Sequence, residues 1–354
     1  MSNYRLYLRL SQHLRSILYS ATWVQINNLS LLSLGLAEAE DCHLANIAVM
    51  LPIEGQRENL IQRIRRILKE THLSRRQVYG ELVQHIFAHW NGHGIGLVMD
   101  RTDLEKRLSI LMVGAAYGKR VLPLVWKVLD YGGTGAQLQI ELLKQVATWI
   151  PKGLPVTLFA DAEFRAVEVQ KLCQYYQWHW QIGVKSDIYF HHSGQKWQQL
   201  KEWSILPGER AYRQNAYLTQ KHEFGPVNLM ADWPTDEDNP RYVVIDRPAN
   251  RLSWRQGRKR QWIENFFRDW KSYGFGLEDS ALDDYHRIDG LILGMSLADL
   301  WLIHLGQWIV ATGKRTLLEP DHKQDYSLFR LGRDYLRRAQ AMDWEVPVGF
   351  TVTY

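Results

Sequence analysis

Three acidic residues stand where carboxylates could hold metal ions. Asp100 and Asp161 each end a short apolar run, and Glu264 lies in a strongly basic segment. Carboxylate oxygens are hard ligands that suit Mg²⁺ or Mn²⁺. Two such ions a few ångström apart can activate an attacking water or hydroxyl and stabilise the leaving oxygen of an in-line displacement. The set therefore points to metal-dependent phosphodiester chemistry.

The third acid lies in the most basic part of the chain. Residues 251–271 contain seven Lys or Arg against two acids, so this segment carries the +5 net charge of the whole chain. Lysine and arginine bind DNA phosphates and balance grouped carboxylates. We therefore predict that this segment binds DNA through its cationic side chains, which include Arg258, Lys259, Arg260, Arg268 and Lys271.

Helical spacing sharpens the prediction for this segment. A helix is predicted from Arg258 to about Tyr273, and Arg260, Glu264 and Lys271 fall at i, i+4 and i+11 on one face of it. A metal-binding carboxylate would then stand between two cations for phosphate. The alternative is a salt-bridged surface helix in which Glu264 pairs with Arg260 or Arg268.

The elements that must position the first two acids are strands. Apolar runs predict three consecutive antiparallel strands, then a helix, a strand, a helix and a strand, in the order βββαβαβ. Their bounds are 95–100, 108–117 and 120–126 for the three strands, 138–146 for the helix, and 156–160, 164–176 and 179–184 for the rest. Asp100 and Asp161 then lie at the C-terminal ends of strands one and four, side by side.

The flanking regions differ in character. Residues 1–90 are predicted to form a helical DNA-binding region, with Ser74 as the N-cap of one helix. Residues 91–185 form the first part of the core, and 186–250 alternate as a β-rich insertion subdomain. Residues 251–354 supply the Glu264 helix and the C-terminal helices. The apolar stretch at about 285–312 is predicted to be a core helix rather than a membrane span.

Bulk composition narrows the class of protein. Of 354 residues, 46% are hydrophobic and 23% charged, as in ordinary soluble globular proteins. Cys42 and Cys173 are far apart, which disfavours a disulfide framework or a cysteine-based zinc site. Arg5, Arg9 and Arg15 precede no uninterrupted apolar stretch, so no secretory signal is predicted. We expect a cytoplasmic protein without a membrane partner.

The acidic motifs resemble a known family. Arg260-x3-Glu264-x6-Lys271 is similar to the Tyr-x2-Arg-x3-Glu-x6-Lys signature of a large group of bacterial insertion-sequence DDE transposases, although Gly257 stands at the tyrosine position. Val98-Met-Asp100-Arg-Thr resembles the first aspartate motif of that group. Leu158-Phe-Ala-Asp161-Ala-Glu-Phe resembles the second, with Ala162 and Glu163 departing from the usual Arg-Gly.

This resemblance implies a fold and a reaction. The fold would be α/β, an RNase H-like mixed sheet flanked by helices, with a β-rich insertion domain and an N-terminal helical region. Asp100, Asp161 and Glu264 would be both the catalytic residues and the ligands of two Mg²⁺ ions, for which Mn²⁺ can substitute. The enzyme would cut DNA at insertion-sequence ends and join the 3′-hydroxyl to new phosphodiesters, in this group often through hairpin ends.

The resemblance also implies partners. The substrate would be double-stranded DNA, as terminal inverted repeats and target DNA, bound by a homodimer at the bacterial nucleoid. Arg260 and Lys271 would contact DNA near the cleaved end. Trp233 and Trp254 are candidates to stack on a flipped base, although a plain core role is the favoured interpretation of each.

Two other functions fit the same residues. An RNase H-like nuclease would use the three acids without strand transfer, and a catalytically inactive derivative would keep DNA binding alone. The acids Asp103, Glu105 and Glu163 lie beside the proposed set and are rival metal ligands.

Overall fold

The computed structural model describes residues 2–70 and 75–352. The N-terminal region folds into helices, as predicted. They are α1 (Asn3–Ile17), α2 (Trp23–Ala39), α3 (Leu44–Met50), α4 (Arg57–Leu68) and α5 (Arg75–Ala88). Ser2 and Thr22 cap the first two through side-chain hydrogen bonds to backbone N–H groups. The predicted N-cap Ser74 lies outside the described residues.

The central elements follow the predicted βββαβαβ order. They are β1 (Ile95–Leu104), β2 (Leu108–Tyr117), β3 (Arg120–Asp130), α6 (Ala136–Ala147), β4 (Val156–Ala160), α7 (Val167–Tyr175) and β5 (His179–Val184). The predicted bounds of β2, β4 and β5 are confirmed. β3 is four residues longer than the predicted 120–126, because it stays paired with β2 up to Asp130.

The insertion contributes five more strands. They are β6 (Tyr189–His192), β7 (Gln198–Gln199), β8 (Arg210–Leu218), β9 (Phe224–Asp232) and β10 (Arg241–Ile245). β10 pairs antiparallel with β5, so these strands extend the central sheet. The result is one mixed ten-stranded sheet in the order β3-β2-β1-β4-β5-β10-β9-β8-β6-β7.

The prediction that Asp100 ends strand one was wrong. β1 continues to Leu104 because β2 pairs with it over its full second half. The parallel pairing with β4, however, covers Ile95 to Met99 alone. Asp100 therefore stands at the end of the β1–β4 pairing, in the middle of a longer strand.

The basic segment is helical but changes its period. α8 (Arg251–Gly257) leads through a 3₁₀ turn at Arg258–Arg260 into α9 (Gln261–Arg268), and a π-helix follows at Asp269–Tyr273. The single uniform helix from Arg258 to Tyr273 was therefore wrong. A π turn holds more residues than an α turn, so Lys271 leaves the face that a continuous α-helix would give it.

Two C-terminal helices, α10 (Tyr285–Ala311) and α11 (Leu328–Ala341), complete the fold. Within the described residues α10 is the one helix long and apolar enough to cross a membrane, and 89% of its most apolar window is buried inside the protein. Gly306 and Gly332 let the two helices touch, since a Cβ on either would lie 1.9 Å from a carbonyl oxygen of the other helix. α10 is a core helix.

Candidate active site

The parallel pair β1–β4 brings two aspartates to the same edge. The pairing ends at Met99 opposite Ala160, so Asp100 and Asp161 are the next residues on adjacent strands. Neighbouring strands lie about 4.8 Å apart. The Oδ1 of Asp161 accepts the backbone N–H of Glu163 at 2.8 Å and caps a short 3₁₀ turn. The Oδ1 of Asp100 accepts the N–H of Arg101 at 2.8 Å.

A glycine lets the Asp161 turn lie against the next strand. A Cβ on Gly183 in β5 would stand 2.9 Å from the backbone nitrogen of Ala162 and 3.2 Å from the carbonyl carbon of Asp161. Backbone atoms cannot yield as a flexible side chain can. A larger residue at 183 would push the Asp161 turn off the sheet.

Helix α9 carries Glu264 over the same strands. It packs on β1, β2 and β3, and the 3₁₀ turn before it packs on β1 and β4. The Nη2 of Arg260 lies 2.9 Å from the Oε1 of Glu264, whose side chain is 53% exposed. The i,i+4 pairing left open by the sequence is thus observed, and it occurs beside the two aspartates.

The three acids share one electrostatic environment. The pKa of Asp100 is raised to about 7, chiefly by burial and then by the charge of Asp161, with a smaller contribution from Glu264. The hydrogen bond from Arg101 and the charge of Arg260 act in the opposite direction. A buried carboxylate with like-charged neighbours is strained when ionised, and a cation nearby would relieve that strain.

The donor chemistry of this set fits hard divalent cations, since all three residues offer carboxylate oxygens. Their present arrangement is open. Within residues 2–70 and 75–352 no three His, Cys, Asp or Glu side chains are gathered closely enough to hold one ion. For Glu264 to bind a metal ion together with the two aspartates, its salt bridge to Arg260 would have to break.

The rival carboxylates are occupied by structural contacts. Both oxygens of Glu163 accept from the Nε of Arg101, at 3.0 and 3.2 Å, and Oε1 also accepts from the hydroxyl and N–H of Thr134. Asp103 accepts from Ser109 Oγ at 2.6 Å. These bonds strap the glycine-rich loop at 132–135 to the edge of the site. Glu105 pairs with Arg107.

A cleft of about 1170 Å³ opens beside Asp161. The basic α8–α9 segment and the strands of the insertion line its walls. Six cationic and three acidic side chains line it, so its charge is positive. Of the predicted DNA-binding residues, this lining includes Arg258, Arg260, Trp233 and Trp254.

Both tryptophans belong partly to the core and partly to this cleft. The indole of Trp233 donates to the carbonyl of Glu237 at 2.8 Å. Trp254 packs on a small apolar cluster that includes Met230, and the guanidinium of Arg210 lies 5.8 Å from its ring centroid. Each is half-buried. This degree of burial is compatible both with stacking on a flipped base and with a plain core role.

Three predicted DNA-binding cations do not line this cleft. Burial lowers the pKa of Lys259, whose amino group lies 6.0 Å from the ring centroid of Trp262. Arg268 donates to Asn265, and the amino group of Lys271 lies 2.5 Å from Glu278. Their contact with DNA stays a prediction.

The structure gives a reason for glycine at the signature's tyrosine position. A Cβ on Gly257 would lie 1.9 Å from the Nε2 of Gln181, which occupies the space beside α8. Any side chain at 257 would require Gln181 to move.

Comparisons with known proteins bear on the fold. No protein-family model and no curated protein matches the chain. A solved structure, the cryo-EM structure of a piggyBac transposase synaptic complex with hairpin DNA, is similar with a TM-score of 0.51 at 10% sequence identity. The match covers 98% of this chain and 84% of that one. The chain therefore shares its overall fold, a mixed α/β architecture, with that transposase.

Proposed function

We propose that this protein is a DDE-type DNA transposase that cuts insertion-sequence ends and transfers the freed strand. The observation that carries the proposal is the meeting of Asp100 and Asp161 at one edge of a parallel strand pair, beneath the helix of Glu264. The shared fold with a transposase supports it.

We further infer that the core is RNase H-like. Its first five strands lie in the order β3-β2-β1-β4-β5, with the first three antiparallel and the last two parallel to β1. In this arrangement β1 and β4 are central neighbours, which is where the proposal needs its two aspartates. The sequence motifs at Asp100 and Asp161 support the same inference.

In this proposal each side chain has a distinct task. Asp100, Asp161 and Glu264 would hold two Mg²⁺ ions, which would supply activation of the attacking oxygen and stabilisation of the leaving oxygen. Arg260 neutralises Glu264 and also lines the cleft, so an incoming phosphate can take the place of the carboxylate as its partner. Arg101 fixes Glu163 and Thr134 and thereby holds the rim of the site.

The partner in this proposal is double-stranded DNA, as terminal inverted repeats and target. The positive cleft supports it, because phosphate contacts supply most of the affinity of such proteins. The N-terminal helices, a homodimer on two DNA ends, hairpin intermediates and a bacterial cytoplasmic location belong to the proposal through the family resemblance.

A second candidate function has its own supporting observation. Glu264 is paired with Arg260, and no three-acid group is gathered within the described chain. A protein that keeps the fold and the basic cleft but lacks catalysis would also have this arrangement. It would bind element ends and leave them uncut.

One assay separates these functions. Labelled DNA carrying the element's terminal repeat is incubated with the protein and Mg²⁺, and the products are resolved on a denaturing gel. A transposase yields nicks at the repeat boundary and then joined or hairpin products. Nicks without joined products would favour the nuclease. Bound but uncut DNA would contradict the enzymatic proposal and favour the binding protein.

A further inference from the structure

One strand of the cleft wall runs directly past the proposed catalytic acids. Residues 181, 183 and 185 alternate onto the same face of β5 and its continuation, and all three line the cleft. Trp180 and Ile182, which alternate with the first two of these residues, are buried and do not line the cleft. Along this face Gly183 touches the Asp161 turn, and Lys185 follows two residues later.

A second lysine lies next to this strand end. The backbone N–H of Lys201 donates to the carbonyl of Ser186 at 2.9 Å, so Lys201 stands beside the residue that follows Lys185. Both lysines are exposed and line the cleft. Asp187 is on the same rim, and within the described chain it forms no ion pair with either of them.

These lysines differ from most other cations of the cleft. Arg210 pairs with Asp232, Arg241 with Glu237, and Arg260 with Glu264. Among the residues that the structure describes, Lys185, Lys201 and Arg258 are the lining cations that no ion pair engages. Two ammonium groups on the same wall of the cleft repel each other, and a bound anion would offset that repulsion.

We propose that Lys185 and Lys201 form a phosphate clamp for the DNA backbone, on the wall of the cleft formed by the strands. This inference rests on the proposed function, since it takes Asp161 as the point where the scissile phosphate is held. Arg258 and Arg260 line the same cleft from the helical segment. The backbone would therefore be held from two sides.

The strand spacing gives the clamp a position. Two residues along a strand correspond to about 7 Å. One strand of DNA carries a charge every ~3.4 Å along the helix axis. The clamp should therefore engage a phosphate close to the scissile one.

The test is the salt dependence of DNA binding. Affinity for a labelled duplex of mixed sequence is measured by fluorescence anisotropy over a NaCl series, without divalent cations. Each lost phosphate contact should reduce the slope of log K against log salt by about 0.9. We expect the double variant Lys185→Gln, Lys201→Gln to lose about 0.9 in slope, because the two lysines hold one phosphate, and each single variant to lose part of that.

A matched double variant controls for loss of surface charge. Lys171 and Lys196 are exposed and do not line the cleft, so Lys171→Gln with Lys196→Gln should keep the wild-type slope. Circular dichroism of each variant checks that the fold is retained.

Two outcomes overturn the clamp and can be told apart. If Arg258→Gln with Arg260→Gln flattens the slope while the Lys185 and Lys201 variant matches wild type, the clamp is wrong and DNA binding in the cleft stands. If the wild-type protein does not bind the duplex, the clamp fails together with the proposed function.

Discussion

Two groups of carboxylates, the first partly exposed and the second buried, stand at opposite ends of the same helical segment. At its N-terminal end Asp100 and Asp161 face Glu264 beside an open cleft. At its C-terminal end Asp269 pairs with Arg120 at 2.5 Å, and Asp299 of α10 is 1% exposed. The second group has its own cation and no opening. Burial of acids alone therefore does not indicate a metal site. The first group differs from the second because it is open to the cleft.

The largest expected difference between the two groups is catalytic. Asp100→Asn, Asp161→Asn and Glu264→Gln should each reduce cleavage more than about a thousandfold, about 4 kcal/mol in activation free energy, because each removes a metal ligand. DNA affinity should stay close to wild type. Initial cleavage rates and duplex affinities measure both. Near-normal cleavage by any one variant would remove that residue from the proposed ligand set.

The second effect concerns stability and belongs to the second group, Asp269 and Asp299. Arg120→Met leaves the carboxylate of Asp269 buried without its partner, so the free energy of unfolding should fall by about 3 kcal/mol. Denaturant titration measures it. Asp269→Asn combined with Arg120→Met should recover part of the loss, because no unpaired charge remains. An unchanged free energy of unfolding in Arg120→Met would mean that the Arg120–Asp269 pair is accessible to water.

The third effect is a pH dependence at Asp299. Burial, together with the charge of Asp269, raises the pKa of Asp299 well above its ordinary value of 3.8. The folded state then holds a proton that the unfolded state releases above that value. The contribution of Asp299 to the free energy of unfolding is therefore greatest below its ordinary pKa and should fall by up to about 1.4 kcal/mol per pH unit as the pH rises toward the folded-state pKa.

The variant Asp299→Asn keeps an uncharged group at this position, so it should lack that pH dependence. The difference in unfolding free energy between variant and wild type should therefore grow in favour of the variant as the pH rises. Urea titrations at several pH values measure it. A constant difference would contradict the raised pKa.

The smallest effect separates a rival acid from the proposed ligands. Glu163→Gln weakens the charge-assisted bond from Arg101 and should lower the free energy of unfolding by about 1 kcal/mol. Metal binding should persist, because Glu163 is engaged by Arg101 and Thr134. Loss of metal binding in this variant, with the fold intact, would make Glu163 a ligand.

Local patterns predicted much of the fold. The bounds of β2, β4 and β5 follow from apolar runs that end at a turn or a polar residue. The pairing of β10 with β5 was out of reach, because it joins residues about sixty positions apart and leaves no local trace. The extension of β1 beyond Asp100 was missed for a related reason. Arg101, Thr102 and Asp103 are polar, yet pairing with β2 keeps them in the strand.

The site could be predicted in part. The spacing of Arg260 and Glu264 predicted their proximity, while the π-helix that displaces Lys271 depends on packing with the rest of the fold. The role of Arg101 in holding Glu163 and Thr134 could not be read from spacing. The three residues come together through a loop closure that hydrophobic periodicity does not encode.

The central claim is that Asp100, Asp161 and Glu264 bind metal together, and direct titration with Mn²⁺ tests it. Electron paramagnetic resonance measures free Mn²⁺ as wild type, Asp161→Asn, Glu264→Gln and Glu163→Gln are titrated in turn. We expect wild type and Glu163→Gln to bind Mn²⁺, and binding to be weakened or lost in Asp161→Asn and Glu264→Gln. The titrations are repeated in the presence of DNA. Equal binding by all four proteins, or no binding by wild type even with DNA, would contradict the proposed metal site.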